Sequence, residues 1–328
     1  MARWYRNPSA RAWRTASAPT EVQAFHQSLP GYRPTPLTPV PSLAAELGVG
    51  QVLVKDESKR LGLPAFKALG AWWAIHRVLK DHPGAVELVT ATDGNHGRAV
   101  ARRAAMLGLP SHVFVPDLVS DQAIDAIRSE GATVTVVPDS YDAAVAEAAA
   151  YAVDDRLLIQ DSAWPGYEDV PQYVVDGYST LFREIEAEPD LVVVPMGVGS
   201  IAQAAVTHYR SGSSTPAVLG VEPASASCVT TSLLAGELVT VPTGKTVMAG
   251  LNCGTASSLA WPVLRAGLDY AVTVDDEAAL QATADLGAAG ISSGPSGAAT
   301  LAGLRAARDN LDLKPTTTVV LISTEAAR

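Results

Sequence analysis

Short apolar runs alternate with alanine-rich, amphipathic stretches along most of this chain, and they predict strands that alternate with helices. The expected strands are Val52–Val54, Leu88–Ala91, His112–Val115, Thr133–Val137, Leu157–Gln160, Leu191–Val194, Ala217–Val221, Ala271–Val274 and Thr318–Ser323. The expected helices are Ser42–Leu47, one from about Phe66, Arg98–Leu107, Asp121–Ser129, Tyr141–Val153, Pro171–Ile185, Ile201–Tyr209, Ser227–Ala235, Asp276–Leu286 and Gly297–Asn310. This alternation indicates βαβ units and a mostly parallel sheet.

The chain is long enough for two lobes. Its 328 residues exceed the ~250–300 at which a single core stops growing. Residues 26–41 are rich in proline and predict an extended segment. Residues 161–169, with turn-forming and aromatic side chains, predict a crossover between domains. We therefore expect a large domain over residues 1–64 and 166–328 and a small α/β domain over residues 65–165.

Composition and charge narrow the class of protein. Apolar residues make up 48% and charged residues 18%, which is typical of a globular protein. The net charge of −10 argues against nucleic acid or an anionic membrane as partner, and no apolar run approaches the roughly 20 residues of a membrane span. Cys228 and Cys253 give neither a disulfide framework nor a metal-ligand cluster. We expect a cytoplasmic protein.

One stretch points to covalent chemistry. The apolar run Val52–Val54 leads into clustered charges and a Gly/Pro turn, after which an apolar helix begins near Phe66 and places Lys67 in its first turn. The positive end of a helix and burial both disfavour an ammonium group, so both lower a lysine pKa. A lysine near neutrality is a nucleophile for an aldehyde. The alternative is a surface lysine that opens an amphipathic helix.

The loop Gly197-Val198-Gly199-Ser200 follows a predicted strand and opens a predicted helix. Backbone N–H groups converge on a phosphate in such a loop, helped by the helix dipole. The loop also matches G-x-G-x-x-A, and Glu222 ends the next strand, as a dinucleotide-binding fold requires. A nicotinamide-dependent dehydrogenase is therefore an alternative, and a tight turn that serves packing alone is another.

The dinucleotide alternative gives no role to Lys67 or to the turn Thr92–Gly97. A phosphate loop, a buried lysine and a loop that offers an amide side chain fit pyridoxal 5'-phosphate, an aldehyde with one phosphate. In this interpretation Lys67 bonds to the aldehyde and Asn95 donates a hydrogen bond to the ring 3'-oxygen. A hydroxyl group from the last strand meets the ring nitrogen.

Several segments carry a family resemblance, in order from about residue 25 to the C-terminus. They are Phe25–Gln27, Gly31–Leu37, Lys55–Arg60, Ala65–Lys67, Thr92–Arg98, Gln160–Trp164, Gly166–Tyr167, Gly197–Gly199, Met248–Gly254 and Ile322–Glu325. The chain resembles the diaminopropionate ammonia-lyases, which are fold-type II pyridoxal phosphate enzymes. The Lys55–Lys67 block and the turn Asp93–Gly97 are its most specific parts. The resemblance implies a two-lobed, three-layer αβα fold with mostly parallel twisted sheets, an amino-acid substrate and a homodimer.

The resemblance also assigns roles to residues. Lys67 resembles the lysine that forms a Schiff base with the cofactor, and Asp93 the carboxylate that takes the α-proton of the D-isomer. Asp161 resembles the acid near the substrate's amino group, although an acid there also caps turns. The remaining implied cofactor contacts are Phe66, Asn95, Gly197, Val198, Gly199, Ser200, and Ser323 or Thr324 at the ring nitrogen. His96 is expected to cap or pack.

The chain departs from the family at the rim of the expected pocket. The family's loop Ser-Gly-Glu-Ser-Gly-Ala reads Ser-Gly-Pro-Ser-Gly-Ala over residues 293–298, and Ala326 replaces a usual glycine. The resemblance implies β-elimination of 2,3-diaminopropionate, and the departures leave serine, threonine or a β-substituted alanine as alternative substrates. A binding protein without catalytic activity is the alternative outside enzymes.

Overall fold

The chain folds into two compact units. The computed structural model describes residues 3–92, 94–117, 119–138 and 141–327. Residues 1–66 and 178–328 form the larger unit, and residues 67–177 form the smaller one. The smaller unit thus begins at Lys67 and ends at Gly177, whereas the domain predicted from the sequence covers residues 65–165. The assignment of functional domains to these ranges stays a prediction.

The elements follow one another as alternating strands and helices. The strands are β1 Trp4–Arg6, β2 Leu37–Pro39, β3 Gln51–Asp56, β4 Glu87–Ala91, β5 Ser111–Pro116, β6 Thr133–Val137, β7 Arg156–Leu158, β8 Leu191–Pro195, β9 Ala217–Pro223, β10 Tyr270–Val274 and β11 Thr318–Ser323. The helices are α1 Glu21–Ser28, α2 Pro41–Leu47, α3 Lys67–Asp81, α4 Asn95–Leu107, α5 Asp121–Arg128, α6 Tyr141–Tyr151, α7 Asp169–Arg183, α8 Ser200–Ser211, α9 Cys228–Ala235, α10 Ala260–Gly267, α11 Asp276–Ala288 and α12 Pro295–Ala307. Within the described ranges, no helix combines the length and the apolar character that a bilayer crossing demands.

The larger unit is built on a seven-stranded sheet of order β1-β10-β9-β8-β11-β3-β2. Its five inner strands pair in parallel, and only the edge strands β1 and β2 run antiparallel to their neighbours. Every residue of β8 and β9 is buried, as expected where helices cover both faces of a parallel sheet. The carboxyl ends of β8, β11 and β3 are neighbours, so the loops after them meet at one edge.

The smaller unit has a four-stranded parallel sheet of order β6-β5-β4-β7. Strands β4 and β7 are neighbours, and Val89 pairs with Leu158. The turn after β4 and the segment after β7 therefore leave the sheet side by side. Helices α3 and α4 pack together, and the Trp72 Nε1–H group donates to the Ala99 carbonyl at 2.9 Å. The prediction of an α/β fold with mostly parallel sheets is confirmed.

Several local predictions need correction. Residues 26–28 belong to α1 instead of the predicted extended segment, because the buried His26 ring bonds the Thr180 hydroxyl at 2.8 Å and ties this helix to the rest of its unit. Strand β7 ends at Leu158, two residues before the predicted end. Strands β1 and β2 and helices α1 and α10 were not predicted. Each of these is a short element.

A buried ionic cluster (Lys55, Glu57, Arg60 and Glu184) joins the end of β3 and the segment after it to α7 and the residue that follows it. Glu184 accepts hydrogen bonds from Lys55 Nζ at 2.6 Å and from Arg60 Nη2 at 2.7 Å. Arg60 Nη2 also contacts Glu57 at 2.7 Å, and all four side chains are at most 1% exposed. Opposite charges offset one another here, so the burial of each charge is compensated. The cluster fixes the chain after β3.

The chain from Arg60 to Phe66 is then held against the last strand. The Phe66 N–H group donates to the Thr324 carbonyl at 3.1 Å, and Ala65 forms an isolated bridge with Glu325. Helix α3 begins at the next residue. The segment that precedes Lys67 in sequence is therefore pinned at both of its ends.

Candidate functional site

Lys67 forms an ion pair inside the smaller unit. Its Nζ atom lies 2.6 Å from Asp161 Oδ2, and the two side chains are 22% and 8% exposed. A carboxylate at this distance favours the ammonium form of a lysine. The expectation of a near-neutral Lys67, which considered only burial and the helix terminus, thus omitted an acid 94 residues away.

Asp161 is a buried carboxylate whose charge depends on Lys67. Burial raises the pKa of Asp161, but the Lys67 ammonium beside it outweighs that effect and lowers the pKa to about 2. The preceding residue anchors it, because the Gln160 side-chain oxygen accepts from Thr90 Oγ1 and from the Ala91 N–H group, both at 3.0 Å. Asp161 is therefore an anion in a fixed position that binds an ammonium group.

The turn after β4 is organised by Thr92. Its hydroxyl oxygen accepts from the Gly94 N–H group at 2.9 Å and from the Gly97 N–H group at 3.1 Å. A Cβ atom at Gly97 would lie 2.4 Å from Thr92 Cγ2, so only glycine fits there. Asn95 is the first residue of α4 and is half-buried. Asp93, the second predicted catalytic acid, lies outside the described residues.

His96 lies in the first turn of α4 with its ring buried. The Nε2 atom is 2.8 Å from the Ile159 carbonyl oxygen. The other ring nitrogen, Nδ1, is 3.8 Å from Asp161 Oδ2. The sequence predicted that His96 packs or caps, and the structure adds that it faces the same carboxylate oxygen as Lys67.

In the larger unit, the loop Gly197–Gly199 joins β8 to α8. Gly199 has φ +100°, and a Cβ atom there would lie 2.9 Å from Leu264 Cδ1. A Cβ atom at Gly197 would lie 3.1 Å from both Cys253 Sγ and the Gly250 carbonyl oxygen. Protein atoms thus occupy the space that a side chain at Gly197 or Gly199 would need. The first backbone N–H groups of α8 have no hydrogen-bond partner within their own helix. A helix N-terminus built this way suits a phosphate.

Two hydroxyl groups meet at the end of the last strand. The Ser323 hydroxyl donates to Ser293 Oγ at 2.8 Å, and both side chains are buried. A Cβ atom at Gly297 would lie 2.8 Å from Ser293 Oγ, so this glycine lets α12 approach the pair. Ser293 was not among the predicted contacts. The signal that could have found it is its place in the Ser-Gly-Pro-Ser-Gly loop, which the family resemblance had already singled out.

The departure at Pro295 is accommodated locally. Pro295 occupies the first turn of α12 after the cap residue Gly294, where proline needs no N–H partner. The next side chain is different: within the described residues, the buried Ser296 hydroxyl has no hydrogen-bond partner. It lies 3.3 Å from the position of a Cβ atom on Gly250. The loop that differs from the family therefore holds a buried polar atom that no described residue pairs with.

Glu222 does not serve a nucleotide. It is fully buried, and its carboxylate accepts from the N–H groups of Val229 at 2.8 Å and Thr230 at 2.6 Å, in the first turn of α9. Burial raises the pKa of Glu222 to about 7, although these hydrogen bonds oppose the rise. The acid that the dinucleotide alternative needs is thus already bound to a helix terminus.

A cavity of about 400 Å³ in the larger unit is not the candidate site. It is lined by Asp190, Ala217, Tyr270 and Thr317, which lie at the amino ends of their strands or just before them. Ligands of open parallel sheets bind beyond the carboxyl ends. Within the described residues, the predicted site residues lie at the carboxyl ends of strands, in the segments that follow them or at the start of the next helix.

Each unit brings some predicted residues together. The smaller unit places Lys67 beside Asp161, with the Asn95 turn following the neighbouring strand. The larger unit places Ser323, Thr324 and Phe66 in one backbone-bonded group and holds the loop over residues 197–200 at the same sheet edge. The smaller unit thus offers an amine, and the larger unit offers a helix N-terminus for an anion together with buried hydroxyl groups; pyridoxal phosphate uses groups of each of these kinds.

Comparisons with known proteins agree with this donor set. The family model described as pyridoxal-phosphate dependent enzyme matches residues 28–325. The diaminopropionate ammonia-lyase of Salmonella typhimurium is 35% identical over 292 residues, which cover 78% of this chain and 72% of that protein. The biosynthetic L-threonine dehydratase of Mycobacterium leprae is 33% identical over 303 residues, covering 89% and 68%.

A solved structure extends the likeness to the whole fold. The crystal structure of Escherichia coli diaminopropionate ammonia lyase, in complex with an aminoacrylate–PLP azomethine reaction intermediate, superposes with a TM-score of 0.93 at 32% identity. The match covers 99% of this chain and 94% of that one. The fold-type II architecture expected from the sequence is confirmed.

Proposed function

This chain belongs to the pyridoxal-phosphate-dependent enzyme family and is a pyridoxal-phosphate-dependent lyase, and we propose that it catalyses the α,β-elimination of 2,3-diaminopropionate. The overall reaction consumes the diamine and one water molecule and yields pyruvate and two molecules of ammonia. The D-isomer, the L-isomer or both serve as substrate. The observation that carries the proposal is the buried carboxylate of Asp161, which already binds an ammonium group at 2.6 Å.

The proposed roles divide between binding and proton transfer. When bound, the cofactor supplies an aldehyde carbon that bonds to amines and a ring that accepts the electron pair left on Cα. Lys67 is the amine to which that carbon bonds. We assign Asn95 to the ring 3'-oxygen, the loop over residues 197–200 to the phosphate, and Ser323 or Thr324 to the ring nitrogen. Phe66 lines the same cofactor.

The elimination needs a base at Cα and an acid at the leaving nitrogen. Lys67, once the substrate has displaced it, or Asp93 removes the α-proton. Asp161 binds a cationic amino group of the substrate, since it binds the cation of Lys67 in the same way. Asp93, Asp161 or the freed Lys67 is the acid that protonates the leaving nitrogen. Positioned proton transfer by such groups contributes roughly 10²–10⁴-fold to a rate. Two acids beside one diamine favour it over an amino acid with a single cationic group.

A second candidate function keeps the cofactor and changes the leaving group. The threonine dehydratase relative and the Pro295 departure both favour it. In this candidate, serine or threonine loses water instead of ammonia and gives a 2-oxo acid.

Comparing the parent protein with Asp161→Asn on a panel of four substrates separates these candidates. We expect the parent protein to turn over 2,3-diaminopropionate fastest, and Asp161→Asn to lower kcat/KM for the diamine by roughly 10²-fold or more. The amide removes the charge that pairs with an ammonium group but keeps the shape. Serine, which lacks the second ammonium, should lose less. The measurement is 2-oxo acid formation from D- and L-diaminopropionate, serine and threonine.

The matched control is Asp155→Asn, an exposed acid of the same unit, which should leave all four rates unchanged. Faster turnover of serine or threonine by the parent protein would replace the proposal with the second candidate. Equal losses on the diamine and on serine would remove the ammonium-binding role of Asp161. The absence of any turnover by protein loaded with the cofactor would favour a binding protein.

We also propose a cytoplasmic homodimer, in which residues 1–64 and 166–328 form the cofactor-binding domain. The family resemblance supports the dimer, and a cysteine content without a disulfide framework supports the compartment. Light scattering of the purified protein should give twice the mass of one chain, and cell fractionation should recover it with cytoplasmic enzymes. A single-chain mass at all concentrations tested would contradict the dimer.

A further inference from the structure

The His96 ring is held in one orientation inside the smaller unit. Its Nε2 atom lies 2.8 Å from the Ile159 carbonyl oxygen, which only accepts hydrogen bonds, so Nε2 carries a hydrogen. The ring is 3% exposed. In a neutral imidazole with Nε2–H, the other nitrogen presents a lone pair. Any further proton on His96 therefore binds at Nδ1.

Nδ1 faces an anion without bonding to it. It lies 3.8 Å from Asp161 Oδ2, and within the described residues it has no hydrogen-bond partner. A lone pair that faces a carboxylate gains nothing, whereas an N–H⁺ group there forms a charged hydrogen bond after a small approach. The same Oδ2 atom holds Lys67 Nζ at 2.6 Å. Lys67 Nζ and His96 Nδ1 thus compete for Asp161 Oδ2. A single proton on either nitrogen makes that nitrogen the cation that pairs with the carboxylate.

The proposed role of Lys67 requires that proton to leave it. An amine attacks an aldehyde only in its unprotonated form, but the pairing with Asp161 favours the ammonium. The proton therefore needs a second position that keeps Asp161 paired with a cation. The charged groups of the described residues that face His96 are Asp161 and Lys67. Asp93, three residues earlier, lies outside that range.

We propose that His96 Nδ1 accepts the proton that the Lys67 ammonium gives up, and that the resulting imidazolium replaces Lys67 as the cation paired with Asp161. One N–H bond of Lys67 breaks, one N–H bond of His96 forms, and the total charge of the three groups is unchanged. His96 is in this sense a positioning residue, because it acts through Asp161 and Lys67. The inference rests on the proposed role of Lys67 as the amine that bonds to the cofactor.

While Lys67 is charged, the pKa of His96 lies below its ordinary value. Burial lowers the pKa of His96, the Asp161 carboxylate raises it, and the Lys67 cation lowers it again. Loss of the cation at Lys67 therefore raises the affinity of His96 for a proton. A proton on Lys67 and a proton on His96 exclude each other, as coupled sites do.

The first test follows His96 by NMR in cofactor-free protein. The titration midpoint of the His96 ring is measured in Lys67→Met, which has no cation, and in Lys67→Arg, whose cation cannot give up its proton. His96→Gln identifies the resonance. We expect the midpoint in Lys67→Met to lie at higher pH than in Lys67→Arg. The same midpoint in both variants would overturn the proposal. This comparison does not rely on the behaviour of a His96 variant.

The second test measures how fast the cofactor-free protein captures pyridoxal phosphate at several pH values around neutrality. In the parent protein the Lys67–His96 pair shares one proton over this range, so the capture rate should be nearly independent of pH. In His96→Gln the free-amine fraction depends on solvent protons, so the rate should rise about tenfold per pH unit. His76→Gln, an exposed histidine of α3, is the control and should behave as the parent.

The outcomes separate this inference from the proposed function. Parallel pH profiles for the parent and His96→Gln would overturn the proton exchange, whatever the substrate panel shows. The inference would be supported by three results: a capture rate that is independent of pH in the parent, a capture rate that rises with pH in His96→Gln, and a higher His96 midpoint in Lys67→Met. This holds even if the preferred substrate is serine. Neither test measures turnover, so both results can be interpreted even if the substrate assignment is wrong.

Discussion

Protein with alanine at position 67 should lack the visible absorbance of lysine-bound pyridoxal phosphate and should lose turnover by roughly 10⁴-fold or more. Lys67→Ala removes the only atom of this side chain that can bond to the aldehyde, and it also removes the proposed base. An absorbance spectrum of the purified variant, before and after addition of the cofactor, checks the first part. A 2-oxo acid assay with 2,3-diaminopropionate checks the second.

Two further variants show whether the loss is chemical. Lys59→Ala removes an exposed lysine from the same segment and should keep both the colour and the rate. Lys67→Arg keeps a cation beside Asp161 but cannot replace the amine, so it should remain folded and colourless. Full colour and full activity in Lys67→Ala would refute the assignment of Lys67 and, with it, the proposed mechanism.

The position of Lys67 could be predicted because its signals are local. A run of β-branched and leucine side chains ends in charges and a Gly/Pro turn, and a helix of apolar residues follows. The prediction placed the helix start at about Phe66, and α3 begins at Lys67. The inner strands were equally readable, because strands of a covered parallel sheet are continuous apolar runs.

The two missed strands depend on their pairing partners elsewhere in the chain. Trp4–Arg6 is a strand only because it pairs with Tyr270–Val272, and Leu37–Pro39 only because it pairs with Leu53–Lys55. Each is only three residues long, which is too short to show the apolar–polar alternation that marks a strand. Helix α10 contains Pro262, which reads as a helix breaker, although it lies in the first turn, where proline is tolerated.

The electrostatics of the site were the least predictable part. Sequence spacing alone gave Lys67 no partner, and the family resemblance placed Asp161 only near the substrate. The structure joins Lys67 and Asp161 across 94 positions and adds His96 on the same oxygen. The approach of His96 to Asp161 follows from the adjacency of β4 and β7, which no local pattern encodes.

Glu184→Ala should be the most destabilising of the variants considered, with a loss of about 3–5 kcal/mol in the free energy of unfolding. It leaves Lys55 and Arg60, both fully buried, with Glu57 as the only remaining acid of the buried ionic cluster. It also removes the acceptor of the Tyr32 hydroxyl at 2.8 Å. Denaturant unfolding at neutral pH measures the loss. Glu186→Ala, an exposed acid two residues later, should change it by less than about 0.5 kcal/mol.

The same cluster predicts how stability depends on pH. Burial raises the pKa of Glu184, but hydrogen bonds and charge from Arg60, together with the charge of Lys55, hold it below its usual 4.5. A depressed folded-state pKa adds stability that is fully present above the unfolded value and is lost as pH falls through the folded value. The parent should therefore lose stability below about pH 4.5, and Glu184→Ala should lose less over the same interval because it has less to lose. Equal acid-induced losses in the two proteins would show that Glu184 does not hold the segment before Lys67 by its charge.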